Sequence, residues 1–113
     1  MPRRLDARER DLFTHVPVRD LDRARVATIP VLSPGVSGMT LGRWILLRRG
    51  HERDEALIAH EMVHVRQWRE LGAVRFLARY LRAYARGRRR GLGHRDAYEA
   101  IPLEAEARAL TGR

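Results

Sequence analysis

Between residues 54 and 71 the chain has neither Gly nor Pro, and Leu57, Ile58, Met62, Val63 and Val65 make it apolar almost all round. Frequent Ala, Leu, Glu, Arg and Met predict a helix there, and the apolar girdle predicts that it is buried. Asp54 is placed to cap that helix, with Glu55 adding favourable charge at the same end. Gly72 ends it. Val74, Leu77, Leu81 and Tyr84 then recur at helical spacing, with Phe76 and Tyr80 beside them and Arg75, Arg79, Arg82 and Arg86 pointing elsewhere. This predicts an amphipathic helix over 73–86 that covers the core. Residues 87–93 read as a flexible basic loop. The Ala- and Glu-rich segment from Ala97 predicts a last helix over 102–110, with Pro102 in its first turn.

Upstream the pattern changes period. Residues 26–29, 31–32, 39–41 and 44–47 have strand composition, broken by Pro30, Pro34, Gly42 and the turn-forming run 33–38. They predict a small antiparallel sheet with hairpin connections across 26–48, in which Pro30 confines the first strand to an edge or interrupts it. Residues 3–15 are highly charged with Leu5, Leu12 and Phe13 as apolar points, which predicts a short amphipathic helix ended before Pro17. Residues 20–25 read as a turn or one helical turn whose charges are solvated. The whole is an α+β chain and a single domain over 1–113: an N-terminal helix and turn (1–25), a sheet (26–48), the buried helix (54–71) and two C-terminal helices.

With 113 residues the chain can bury one modest core. It has no Cys, which excludes a disulfide framework and any Cys-based metal site. Apolar runs are too short for a membrane-spanning helix, and the N-terminus lacks the apolar stretch of a secretory signal, so a cytoplasmic chain is expected. The net charge of +9 comes from Arg alone. It is not gathered into one stripe, so a solvated surface is expected rather than a nucleic-acid interface.

The buried helix carries His60, Glu61 and His64 in an HExxH arrangement. Residues four apart on a helix share a face, so both imidazoles can reach one metal ion, while Glu61 is offset towards a water on that ion. The competing reading is two histidines satisfied by hydrogen bonds. Burial favours the metal, because an unpaired buried charge is costly. His15 stands alone and is expected to be solvent-exposed, and His51, at a loop tip, is not expected to be a ligand.

A catalytic zinc takes three protein ligands and a water. Without Cys the third is a carboxylate or another His; the downstream candidates are His94, Asp96, Glu99, Glu104 and Glu106. A carboxylate on a regular helix is held more firmly than a group in a Gly-rich loop, which favours Glu104 or Glu106. These are two positions apart, so only one can face the metal.

Residues 57–67 with 98–107 resemble the gluzincin branch of zinc metallopeptidases, in which an HExxH helix is followed by a glutamate ligand in an E-x-x-A-D-like segment of a later helix. The likeness is greatest to compact bacterial HExxH domains, and more distant to the CAAX-prenyl-protease type; it covers about residues 26–110. It implies a minimal zincin-like fold, a Zn2+ cofactor, His60, His64 and Glu104 as ligands, and Ala107 as the motif alanine. Arg108 departs from the usual Asp, whose place in supporting a histidine would fall to Glu99 or Glu106. The resemblance further implies a peptide or protein substrate, hydrolysed by a metal-activated water with Glu61 as general base. Tyr98 or His94 would donate to the oxyanion. The strand over 43–47 would line the cleft and pair with an extended substrate. The alternative is a non-catalytic, zinc-stabilised domain that binds a protein or nucleic acid through its arginines.

Overall fold

The computed structural model describes residues 2–30 and 32–113. In chain order the elements are α1 (Ala7–Leu12), α2 (Val18–Arg23), β1 (Arg25–Ile29), β2 (Gly38–Leu41), β3 (Trp44–Arg48), α3 (Glu55–Arg89), α4 (His94–Glu99) and α5 (Pro102–Thr111). The architecture is α+β: a three-stranded sheet packed on a long helix, with two helices behind it. Val31, expected in a strand, lies outside the described residues. No helix among them is long and apolar enough to cross a membrane.

The sheet is mixed rather than antiparallel. Its order is β1-β3-β2, with β3 parallel to β1 and antiparallel to β2. Only β2 and β3 form a hairpin, turning at Gly42, whose φ is 64°. The most apolar strand takes the centre because Ile45 and Leu47 are wholly buried there. β1 therefore runs along its far side instead of folding back on β2. It stops at Ile29, before Pro30, and on its outer edge Val26 pairs with Arg3. Val26, Ile45 and Leu47 form one core with Leu57, Ile58, Met62 and Val65 of α3 and with Leu5, Phe13, Val16 and Leu21 from the N-terminal segment.

That N-terminal segment holds two short helices, the second where a turn or one helical turn was expected. Asp6 and Glu9 form a capping box that starts α1, and Pro17 lies at the start of α2. The charges of 20–25 are not all solvated. Asp20 is wholly buried and takes two hydrogen bonds from Arg69, at 2.6 and 2.9 Å, which ties α2 to α3. His15 is half-buried rather than exposed, and its Nε2 lies 2.9 Å from the Ala59 carbonyl oxygen.

Asp54 caps α3 by accepting from the Leu57 N–H at 3.2 Å. The span to Arg89 is two helical arms that meet at a kink at Gly72 (φ 79°, ψ 161°), where an L side chain is strained. Trp68 and Phe76 stack across the kink with ring centroids 4.4 Å apart, and Phe76 stacks on Tyr80. The arm beyond Gly72 packs through Phe76, Tyr80 and Gly87. The Val74, Leu77 and Leu81 stripe, expected to cover the core, faces solvent instead. Nor are residues 87–89 a loop: they are helical, and Gly87 lies so close to Ala97 that a Cβ would come within 3.1 Å of it. α4 was not evident in the sequence, whereas α5 matches its expected range to within a residue.

Gly72→Ala forces a Cβ onto a backbone conformation that is essentially restricted to glycine. It is expected to cost about 1–3 kcal/mol of stability, measured by urea denaturation. An unchanged midpoint would mean that the kink is not held in the folded state.

Candidate metal centre

The first arm of α3 and the first turn of α5 converge on one point. His60 and His64 lie one turn apart, ring centroids 5.1 Å from each other, and both are buried. Glu104, in the first turn of α5, is equally buried and reaches between them. Its Oε1 is 2.9 Å from His60 Nε2, and its Oε2 is 3.0 Å from His64 Nε2. One ligand atom from each of the three residues lies within 4.8 Å of the others, close enough for one ion with bonds of about 2.0–2.2 Å.

The tautomers follow from what each ring's other nitrogen meets. His64 Nδ1 lies 2.7 Å from Gln67 Oε1. The Gln67 amide nitrogen donates to the Leu103 carbonyl at 3.0 Å and to Glu106 Oε1 at 2.7 Å. A flipped amide would set its oxygen against those two acceptors, so Gln67 accepts from His64 and Nδ1 carries the hydrogen. His60 Nδ1 meets the main-chain carbonyl oxygen of Arg113 and is fixed in the same way. In neutral rings both Nε2 lone pairs then face the Glu104 carboxylate, an arrangement that needs a second proton or a cation. His64 Nε2 is fully buried, and Glu104 Oε2, 3.0 Å away, does not complete a hydrogen bond with it. This orphaned nitrogen, beside a second imidazole and a carboxylate, fits a divalent ion of the zinc type.

The charges of the triad act strongly on one another. Burial alone would raise the Glu104 pKa, but the flanking His60 and His64 imidazoles and the Tyr80 hydroxyl outweigh it and hold the carboxyl well below the usual range. Burial alone would lower His64; the Glu104 carboxylate, with the Glu61 charge behind, raises it instead.

Glu61 lies beside the triad, almost wholly buried, and accepts from the Thr40 hydroxyl at 2.8 Å. Burial, with the nearby Glu104 charge, pushes its pKa up against the opposing pull of the histidines and Thr40. Thr40 comes from β2, the edge strand on this side of the sheet. β3, which contains Trp44–Leu47 of the strand expected to receive substrate, is paired on both sides and has no free edge.

Tyr80 is the main residue that sequence reasoning assigned only to packing. Its hydroxyl donates to Glu104 Oε2 at 2.7 Å. The signal was weak: an aromatic on a different arm of the helix, brought round by the Gly72 kink. Tyr98, on α4, is 38% exposed; burial raises its hydroxyl pKa first, and the Glu104 and Glu61 carboxylates raise it further. The other candidates lie elsewhere. Glu106 binds Arg66 and Gln67, one step behind His64. His94 pairs with the Tyr84 hydroxyl, and Glu99 with Arg95. Asp96 is exposed. Arg108 donates to the Glu99 carbonyl, so it is Gln67, backed by Glu106, that supports His64.

Gln67→Leu removes the acceptor that fixes His64. It is expected to weaken metal binding about 10–100-fold, measured by competition with a chromophoric chelator. Equal affinity in the variant would show that His64 is aligned without it.

No curated protein and no solved structure matches the chain. Residues 3–72 match the eCIS core domain, a span that takes in Thr40, His60, Glu61 and His64 and stops at the Gly72 kink. Tyr80, Tyr98 and Glu104 lie beyond it. With more than half of its 113 residues matched, the chain belongs to the eCIS core domain family.

Proposed function

We propose that this chain is a zinc metallopeptidase of the gluzincin type, with His60, His64 and Glu104 as metal ligands and Glu61 as general base. The observation that carries the reading is the convergence of two Nε2 atoms, each with its Nδ1 already engaged, on one buried carboxylate. Zinc bound there supplies a Lewis acid and lowers the pKa of water to about 7.

The protein's own residues do the rest. Thr40 holds the Glu61 carboxylate in place, and burial raises its proton affinity towards that of a useful base. Glu61 takes a proton from the attacking water and returns it to the amine as the C–N bond breaks. The Tyr98 hydroxyl, partly exposed, protonated and beside Glu104 and Tyr80, would donate to the oxyanion. An extended peptide pairs with the free edge of β2, so the strand that orients Glu61 also orients the substrate. Main-chain pairing of this kind selects for extended conformation more than for sequence.

The experiment is hydrolysis of an unfolded protein substrate before and after chelation. Activity should vanish with the metal and return with zinc; activity that survives chelation would refute the reading.

Zinc stabilisation should also depend on pH. In the metal-free chain the raised His64 contributes fully below the ordinary histidine pKa of about 6.5, and that contribution is lost as pH rises through its folded value. Glu104, held low, contributes above the ordinary glutamate pKa of about 4.3 and loses it as pH falls through its depressed value. The triad's own ion pairing is therefore strongest between those two limits, where protons compete best with metal. The rise in Tm on adding zinc is expected to be small in that window and to grow steadily above it. A rise independent of pH would mean that zinc binds elsewhere.

A further inference from the structure

The arm of α3 beyond Gly72 has three faces. Phe76, Tyr80 and Gly87 meet the rest of the fold. Val74, Leu77 and Leu81 form a second face, 82%, 43% and 61% exposed, with exposed Ala78 and Ala85 between and beyond them. The third is cationic. At about 100° per residue, Arg75, Arg79, Arg82 and Arg86 fall within a sector of about 60°, bordering the apolar one. Residues 73–90 contain seven arginines and no acid. Ion pairs elsewhere on α3 use Arg66 and Arg69, before the kink.

We propose that this arm is an interfacial helix that lies on an anionic phospholipid surface. Val74, Leu77 and Leu81 enter the acyl boundary, and Arg75, Arg82 and Arg89 reach headgroup phosphates along its flank. A basic amphipathic helix with no acid on it binds such a surface by both terms at once. Long arginine stems suit the flank, because they bury their methylenes while the guanidinium stays at phosphate level.

The competing occupants each use half of the arm. A partner helix docked on the apolar stripe would be flanked by Ala78 and Ala85, with the Arg75–Arg86 ridge turned away from it. A nucleic acid on the ridge would leave Val74 and Leu81 in water. A second copy of the chain would set one acid-free arginine arm against another. A lipid surface takes both faces together.

The test is co-sedimentation of the full chain with phosphatidylcholine vesicles, pure or mixed with phosphatidylglycerol. Binding is expected on the mixed vesicles and not on the neutral ones. At about fivefold per arginine near the surface, R75Q/R82Q/R89Q should weaken it about a hundredfold. L77S/L81S, at exposed positions that the fold does not need, should weaken it about tenfold or more. The control R4Q/R19Q/R49Q removes the same charge from exposed sites elsewhere and should stay within about threefold of the parent. The proposal fails if the control loses as much as the arm variant, or if L77S/L81S binds as the parent does. It fails equally if DNA competes the chain off vesicles and binds L77S/L81S undiminished, because the arginines would then serve a phosphate polymer and not a membrane.

Discussion

Glu104→Ala is expected to leave a folded chain that no longer retains zinc through dialysis. Glu104 is the one acid that touches both histidines, through separate oxygens, and its carboxyl is held ionised by the groups around it. Removing it takes away a ligand and the only negative charge between two imidazoles. The loss of affinity should exceed the about 10–100-fold that follows from losing a supporting partner. Glu106→Ala is the matched control. Glu106 lies two positions away, acts only through Gln67 and Arg66, and is expected to fall within that smaller range. If Glu106→Ala emptied the site while Glu104→Ala kept its zinc, the ligand assignment would be wrong.

Glu61→Gln separates chemistry from binding. The amide keeps the size of the carboxylate and can still accept from Thr40, so zinc should stay bound at parental stoichiometry. Hydrolysis should fall by about 10²–10⁴, the usual worth of a positioned general base. Stability should move the other way. Glu61 is buried with its pKa raised, so the folded chain disfavours its ionised form, and that penalty is fully present at neutral pH and fades as pH falls. The neutral amide escapes it, and the metal-free variant is expected to melt higher than the parent at neutral pH. Loss of zinc from Glu61→Gln would make Glu61 a ligand; full activity in it would remove the proposed base.

Much of this arrangement is legible in the sequence, because it rests on local rules. A run without Gly or Pro between Asp54 and Leu71 specifies the buried helix, and four-residue spacing puts His60 and His64 on one face. Pro102 starts α5 where expected, which sets Glu104 in its first turn. What is not legible depends on long-range geometry. The place of β3 at the sheet centre follows from how Ile45 and Leu47 fill the core, so composition alone suggests hairpins where β1 is parallel. Gly72 reads as the break between two helices, which it is; the sequence does not tell that the second swings Tyr80 back to Glu104 and turns Val74 and Leu81 to solvent. Periodicity over 73–86 shows two faces and cannot say which is inside. Asp20 looks like surface charge because its partner, Arg69, is 49 positions away.

The most direct measurement is X-ray absorption at the zinc edge on the full chain, purified without a polyhistidine tag and dialysed against zinc-free buffer. The account predicts one zinc per chain with two imidazole nitrogens and carboxylate oxygen in its coordination shell, and loss of that signal in Glu104→Ala. A chain that retains no zinc, or retains it in a shell that Glu104→Ala leaves unaltered, would contradict it.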